Sequence, residues 1–239
     1  MKKLLILILL IGITAIFILS ALFYTGTLRF NYPNSTEFPI KGIDISHHQG
    51  EIDWEAISND EIQFAFIKAT EGGDHKDKRF EENWKAAKEN GIIPSAYHFY
   101  SFCKSGTEQA ANIISSAPKE SGTLPPAIDL EYSGNCEDRP NKAEFIKELA
   151  ILSDSIFSHY GVRPILYSTP TFYTEYMEGE MLDHFLWARS IFGQPNMSDD
   201  RDWQFWQYTN KGEVAGINGP VDLNVFRGDR NDLEHILLQ

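Results

Sequence analysis

The segment Ala127-Ile128-Asp129-Leu130-Glu131 alternates apolar and acidic residues with a period of two. That is the period of an extended strand, in which successive side chains point to opposite faces. Ile128 and Leu130 therefore share one face, and Asp129 and Glu131 the other. Two further segments repeat the arrangement: Ile43 and Ile45 alternate with Asp44 and Ser46, and Val221 and Leu223 alternate with Asp222 and Asn224. Carboxylates on a strand face cannot sit in an apolar core without partners. The chain is thereby confined to folds in which one face of each strand is covered by apolar packing while the other opens to a polar cavity.

The order of elements narrows this further. Short apolar or alternating runs bounded by turn residues predict strands at 41–46, 63–69, 92–100, 126–132, 163–169, 185–190, 203–209 and 221–226. Helices are expected at about 53–58, 79–90, 107–117 and 142–160. Asp53 is the cap of the first. Phe80, Trp84 and Ala87 recur at helical spacing in the second, which Gly91 closes. Asn141 caps the longest, with Glu144 placed as in a capping box and Phe145, Leu149, Leu152 and Ile156 as its apolar stripe. Beyond residue 169, turn-rich segments such as Gly193-Gln194-Pro195-Asn196 replace helices. Strand–helix alternation argues for a parallel sheet, and about eight strands argue for an α/β barrel whose later helices are missing. In such barrels the functional end is the one at the C-terminal ends of the strands, where each of the three acidic segments is expected to deliver its carboxylates.

The N-terminus is of another kind. Met1-Lys2-Lys3 precedes an uncharged run of 21 residues from Leu4 to Tyr24, the length that crosses a bilayer core. The run exceeds the apolar core of a cleavable signal peptide, and Leu19-Ser20-Ala21 is a poor cleavage site. An uncleaved signal anchor is favoured over a cleaved signal; Lys2 and Lys3 stay inside in both cases and the remainder is exported. The expected organisation is an anchor or signal over 1–27, a polar tether over 28–39 and one folded domain over 40–239. The domain is then membrane-anchored outside the cytoplasm, in the cell envelope or periplasm, or secreted if the segment is cleaved. It is expected to be monomeric.

A formal net charge of −13 argues against nucleic acid as a partner, because that affinity comes from neutralising phosphates. Cys103 and Cys136 are too few for a disulfide scaffold and lack zinc-ligand spacing. One bridge in an oxidising compartment and two free thiols both remain open.

Paired carboxylates on one face suit acid–base chemistry. Mutual repulsion and burial raise one pKa, so that one group keeps its proton while its neighbour is ionised. Glycoside hydrolysis uses such a pair. The competing reading is a metal-dependent deacetylase or amidase, with Asp44, His47, His48 and His98 as ligands. Adjacent His47 and His48 on a strand point opposite ways, so at most one joins Asp44, and no His-Glu-x-x-His spacing occurs. A Gly-x-Ser-x-Gly elbow and a Gly-rich phosphate loop are both absent from the sequence. No metal and no cofactor is expected.

Taken in order, several motifs resemble one family. They are Gly42-Ile43-Asp44-Ile45-Ser46-His47-His48-Gln49-Gly50, Phe66-Ile67-Lys68-Ala69-Thr70-Glu71-Gly72, Ala96-Tyr97-His98-Phe99-Tyr100 and Ala127-Ile128-Asp129-Leu130-Glu131, followed by Ile165-Leu166-Tyr167-Ser168, Leu186-Trp187-Ala188-Arg189, Trp206-Gln207-Tyr208 and Val221-Asp222-Leu223-Asn224. Over about 41–228 the set resembles the glycoside hydrolase family 25 lysozymes. The resemblance implies a flattened TIM-like barrel of eight strands with about five helices, (β/α)5(β)3. It implies hydrolysis of the β-1,4 bond between N-acetylmuramic acid and N-acetylglucosamine, with peptidoglycan strands as the partner. By position, Glu131 matches the family's general acid, Asp129 the acid that assists the substrate's 2-acetamido group, and Asp44 and Asp222 the remaining cleft acids. Tyr97, Phe99, Tyr167, Trp187 and Gln207 match substrate-binding positions. The chitinase signature Asp-x-Asp-x-Glu is not met, since Ala127 stands at its first acid. The alternative is a non-catalytic peptidoglycan- or chitin-binding module that retains the cleft.

Overall fold

The computed structural model describes residues 2–24, 28 and 31–239. Residues 25–27, at the end of the expected anchor, and 29–30, in the expected tether, lie outside the described residues. The chain forms two compact units, 1–32 and 33–239. The first is built on α1 (Lys2–Tyr24), a 23-residue helix of mean hydropathy 3.0 over its most apolar window, long and apolar enough to cross a membrane.

The second unit is a closed barrel. Its strands are β1 (Ile40–Ile45), β2 (Ile62–Glu71), β4 (Ile93–Phe99), β5 (Ala127–Leu130), β6 (Ile165–Ser168), β7 (Leu186–Arg189), β8 (Phe205–Gly212) and β9 (Val221–Phe226), with a short β3 (His75–Lys76) pairing outside the ring against the end of β2. From β1 round to β8 neighbours are parallel; β9 is antiparallel to both β8 and β1 and closes the ring. Helices α2 (Trp54–Asn59), α3 (Phe80–Glu89), α4 (Gly106–Ile114), α5 (Lys142–Tyr160) and α6 (Pro170–Phe172) follow the first five barrel strands in turn, and α7 (Arg230–His235) follows the last. The (β/α)5(β)3 pattern is thus present, with one extra strand and a C-terminal helix.

Strand periodicity builds two cores. Ile40, Phe64, Phe66, Ile93, Ala127, Ile165, Tyr167, Trp187, Phe205 and Phe226 fill the barrel interior. Ile43, Ile45, Ala65, Ile67, Ile128, Leu130, Leu166 and Leu186 pack outward with Trp84, Ile113, Phe145, Leu149 and Leu152 from the helices. Each fully buried large side chain contributes about 1.5–3 kcal/mol through removal from water. Local signals agree with this division. Asp53 Oδ1 accepts from Ala56 N at 3.1 Å, Asn141 Oδ1 accepts from Glu144 N at 3.0 Å, and Gly161 ends α5 in the left-handed region at φ 84°. Asn141–Glu144 forms only the first half of a capping box, whereas Ser105 and Glu108, on α4, form a reciprocal one.

Three expectations are corrected. The first strand ends at Ile45; Ser46 caps a 3-10 turn over His47–Gln49, so the two histidine rings lie side by side with centroids 4.1 Å apart rather than on opposite strand faces. Helix does not vanish after residue 169: α6 runs into a π-turn at Tyr173–Met177, and together they bury Phe172, Tyr173, Tyr176 and Met177, a helically spaced set too short to stand out from the turn residues around it. Asp222 stands at the start of its strand, and reaches the functional mouth because β9 runs antiparallel. Cys103 and Cys136 form a disulfide, Cα atoms 6.2 Å apart, joining the loop after β4 to the loop after β5.

Gly42 is required by close approach. A Cβ there would lie 2.3–2.6 Å from three ring carbons of Phe64, whose ring is packed edge-on against Phe66 and Phe205. Gly42→Ala is expected to destabilise the domain by about 1–3 kcal/mol, the range for overpacking a filled core. Urea unfolding measures this, and a change under about 0.5 kcal/mol, as at a neutral surface site, is the opposing result.

Candidate active site

The inward parity carries the acids of β1, β5 and β9 to one mouth. Asp44, Asp129, Glu131 and Asp222 line a single cleft of about 460 Å³ together with Tyr97, Tyr167, Trp187, Arg189 and Gln207. Asp44 and Asp222 stand opposite one another in the β1–β9 register, and Asp129 stands opposite Tyr167 across β5–β6.

The four carboxyl groups have unequal surroundings. Asp44 Oδ2 accepts from Gln207 Nε2 at 2.9 Å and from Asn224 Nδ2 at 2.8 Å. Both amides are themselves oriented: Tyr167 Oη donates to Gln207 Oε1 at 3.0 Å and Trp187 Nε1 donates to Asn224 Oδ1 at 2.8 Å. Burial raises the Asp44 pKa to about 6, against the opposing effect of these two donors and of Arg189. Asp129 has no such support. Its Oδ1 is buried without a hydrogen-bond partner, and burial together with the charges of Glu131 and Asp44 pushes its pKa well above the ordinary carboxylate range. Burial also raises Glu131, opposed by Arg189 and assisted by Asp44. Asp222 is pushed up to about 8 by burial and then by the charge of Asp44.

The aromatic positions divide. Tyr97 and Tyr167 line the cleft. Trp187 also reaches it, but one ring face is stacked on Phe66 at 3.9 Å and Tyr167 packs edge-on at 4.6 Å, so the indole is barrel core and hydrogen-bond donor more than a sugar platform. Phe99 does not line the cleft; its ring lies under the Lys68 ammonium at 4.9 Å. Residues beyond those expected are Ile45, His48, Gln49, Ser133, Arg189, Asn210 and Pro220 in the lining, while Asn224, expected on the inward face with Asp222, lies behind it. Arg189 was open to the rule of two, counted from Trp187. Ser133, Asn210 and Pro220 sit in loops or beyond the expected strand end, where no period applies.

The competing chemistries are not assembled. His98 faces outward, buried between Thr70 Oγ1 at 2.7 Å and Gln109 Oε1 at 3.1 Å, and burial lowers its pKa to about 4. His47 Nδ1 lies 2.8 Å from Asp77 Oδ2. Among the described residues no group of three or more His, Cys, Asp or Glu is arranged to hold a metal. A Ser153–His184–Asp183 chain does exist, at 2.6 and 2.8 Å, but Ser153 is 1% exposed and outside the cleft; it pins α5 to the segment before β7.

A parallel-stranded barrel that gathers clustered carboxyl groups at the C-terminal mouth defines the class of barrel enzymes working through paired acids. The chain belongs to the glycosyl hydrolases family 25, whose model matches residues 43–217, and is a glycoside hydrolase. It is similar to a family 25 glycosyl hydrolase of Bacillus anthracis, 37% identical with a TM-score of 0.81, covering 87% of this chain and 98% of that one. It is 34% identical to the uncharacterised protein YegX of Escherichia coli K12 over 82% of this chain and 73% of that protein. It is 32% identical to lysozyme M1 of Streptomyces globisporus over 79% of this chain and 68% of that protein.

The raised Asp222 pKa has a sign in stability. With its folded value near 8 and its ordinary value 3.8, ionised Asp222 destabilises the fold above pH 8, and the burden is relieved as pH falls toward 4. Asp222→Asn is expected to be more stable than the parent by about 1–2 kcal/mol at pH 9, discounted from the full shift because the carboxyl is partly open to water, and equal to it near pH 4. Thermal unfolding across that range measures the difference; a constant gap at all pH values is the opposing result.

Proposed function

We propose that the protein is a lysozyme that hydrolyses the β-1,4 bond between N-acetylmuramic acid and N-acetylglucosamine in peptidoglycan, with Glu131 as general acid and Asp129 assisting the 2-acetamido group. The observation that carries this reading is the asymmetry of the pair on β5: Glu131 in the cleft with a raised pKa, and beside it Asp129, whose buried Oδ1 lacks a donor. A substrate amide N–H is the donor that completes Asp129. The names of related proteins, lysozyme M1 among them, support the substrate class.

The reaction follows from those groups. Protonated Glu131 gives its proton to the glycosidic oxygen as the bond to C1 breaks. Asp129 holds the acetamido N–H and makes its carbonyl oxygen a better nucleophile, which closes on C1 to a cyclic oxazolinium ion. Water then attacks C1, ionised Glu131 takes its proton, and the acetamido group is released with the β configuration retained. Asp44, held by two amide donors, contributes negative potential to the positive charge that develops at C1, and Asp222 lies opposite it across the β1–β9 register. Tyr97, Tyr167, Trp187 and Gln207 form the cleft wall.

The same reading assigns residues 1–27 to a signal anchor, 28–39 to a tether and 40–239 to the catalytic domain, acting outside the cytoplasm. The apolar α1 and the Cys103–Cys136 disulfide support export.

Glu131→Gln is expected to lower turnover of purified cell wall by at least about 10²-fold with the fold intact, the contribution of a general acid. Asp129→Asn is expected to cause a smaller but still large loss. New reducing ends, identified as muramyl termini by mass spectrometry, measure both; undiminished clearing by Glu131→Gln defeats the assignment of the acid. Proton NMR of the first-formed product reports the anomer, and an α product replaces acetamido participation with direct attack by water. Carbonate extraction of expressing cells tests the anchor: the full-length chain is expected in the membrane pellet, and a shortened soluble chain indicates cleavage.

A further inference from the structure

Arg189 ends β7 opposite Gln207 and is the only lysine or arginine among the described residues that line the cleft. It is partly buried. Arg79, Arg139, Arg163, Arg201, Arg227 and Arg230 each donate to a carboxylate or a carbonyl. The Arg189 guanidinium alone among the described arginines makes no hydrogen bond and no ion pair with a described residue, although four carboxyl groups share its cleft. A guanidinium carries five N–H donors in a planar fork, and drawing them partly out of water without acceptors is unfavourable. The fork matches a carboxylate or carbonyl better than a hydroxyl.

Resting on the glycan substrate proposed above, the choice of acceptor narrows. A chain of N-acetylglucosamine alone presents only hydroxyl and acetamido groups. A muramyl residue adds, at C3, a lactyl ether ending in a carboxyl group, on the carbon next to the one that bears the acetamido group assigned to Asp129. We propose that Arg189 is a specificity-determining residue that receives the lactyl carboxyl group of the muramyl residue. That group is a free carboxylate in peptide-free strands and an amide carbonyl in peptide-bearing ones. The cation also lets an anionic sugar enter a cleft lined by four acids, whose ionised members would otherwise repel it.

The test is binding in the Glu131→Gln background, which suppresses turnover. Calorimetry compares a peptide-free muramyl tetrasaccharide, the same tetrasaccharide with stem peptides, and chitotetraose, each with Arg189 intact and with Arg189→Gln or Arg189→Lys. Arg189→Gln is expected to reduce the ratio of muramyl to chitotetraose affinity by at least about tenfold, and Arg189→Lys to keep part of it on the peptide-free probe. Loss on both muramyl probes identifies a carbonyl oxygen as the acceptor, and loss on the peptide-free probe alone identifies the free carboxylate; either supports the assignment. Equal loss on all three probes, as from a purely structural or electrostatic role, overturns it, as does an unchanged ratio. Muramyl binding that depends on Arg189 in a protein whose parent cleaves none of these glycans defeats the lysozyme reading and leaves the arginine assignment standing.

Discussion

Four carboxyl groups drawn from water into one cleft lose hydration and repel one another, and the barrel meets that burden unequally. Asp44 receives two amide N–H donors on a single oxygen. Asp129 receives none on its buried Oδ1. The inequality separates the states of the acids: the supported group ionises first, and its charge raises the neighbours. A cleft of four equally solvated carboxylates would have no proton to give near neutral pH. The proposed acid chemistry therefore depends on the two amides facing Asp44 with their nitrogens, and that orientation is set by Tyr167 and Trp187, which occupy the amide oxygens.

Those two rings are where core and site become one structure. Trp187 is stacked on Phe66, and Phe66 is packed on Phe64 and Phe205 in the barrel interior. Filling the lower barrel thus fixes the indole N–H, which fixes Asn224, which fixes the charge on Asp44. The antiparallel β9 serves the same end. By running against β1 it brings Asp222 opposite Asp44 and Asn224 beside Gln207. A parallel β9 would have needed a crossover connection from β8, usually a helix, in place of the short antiparallel return.

Legibility in the sequence followed the strand period. Ile128 and Leu130 against Asp129 and Glu131, and the matching pairs on β1 and β9, were readable because one face is wholly apolar. The α5 helix was readable to its ends from Asn141 and Gly161. The failures fall where the period stops or is masked. His47 and His48 look like a strand continuation, but the Ser46 cap turns the backbone. Phe172, Tyr173, Tyr176 and Met177 fall at helical spacing, but the run is short and begins at Pro170 after a strand, and α7 depends on an Asp229–Asp232 capping box beyond the last strand. Arg189 was visible as a residue but not as a site, because what distinguishes it is the partner it lacks in space.

The two acids of β5 are only two residues apart, yet they are held by different means. Asp129 lies within the strand, paired with Phe99 on one side and Tyr167 on the other, and its carbonyl accepts from Tyr100 N at 3.0 Å. Glu131 lies one residue past the strand end. Its carbonyl accepts from Asn135 Nδ2 at 3.1 Å, and the same side chain donates to Tyr100 O at 2.7 Å and accepts from Phe102 N at 3.0 Å. Cys136, the next residue, ties that loop to Cys103. In the mechanism proposed above, the group that orients a substituent gains from the rigidity of a ladder, whereas the group that carries a proton to a leaving oxygen and later takes one from water gains from a longer side chain on a clamped loop. Aspartate inside the strand and glutamate beyond it fit that proposed division of tasks.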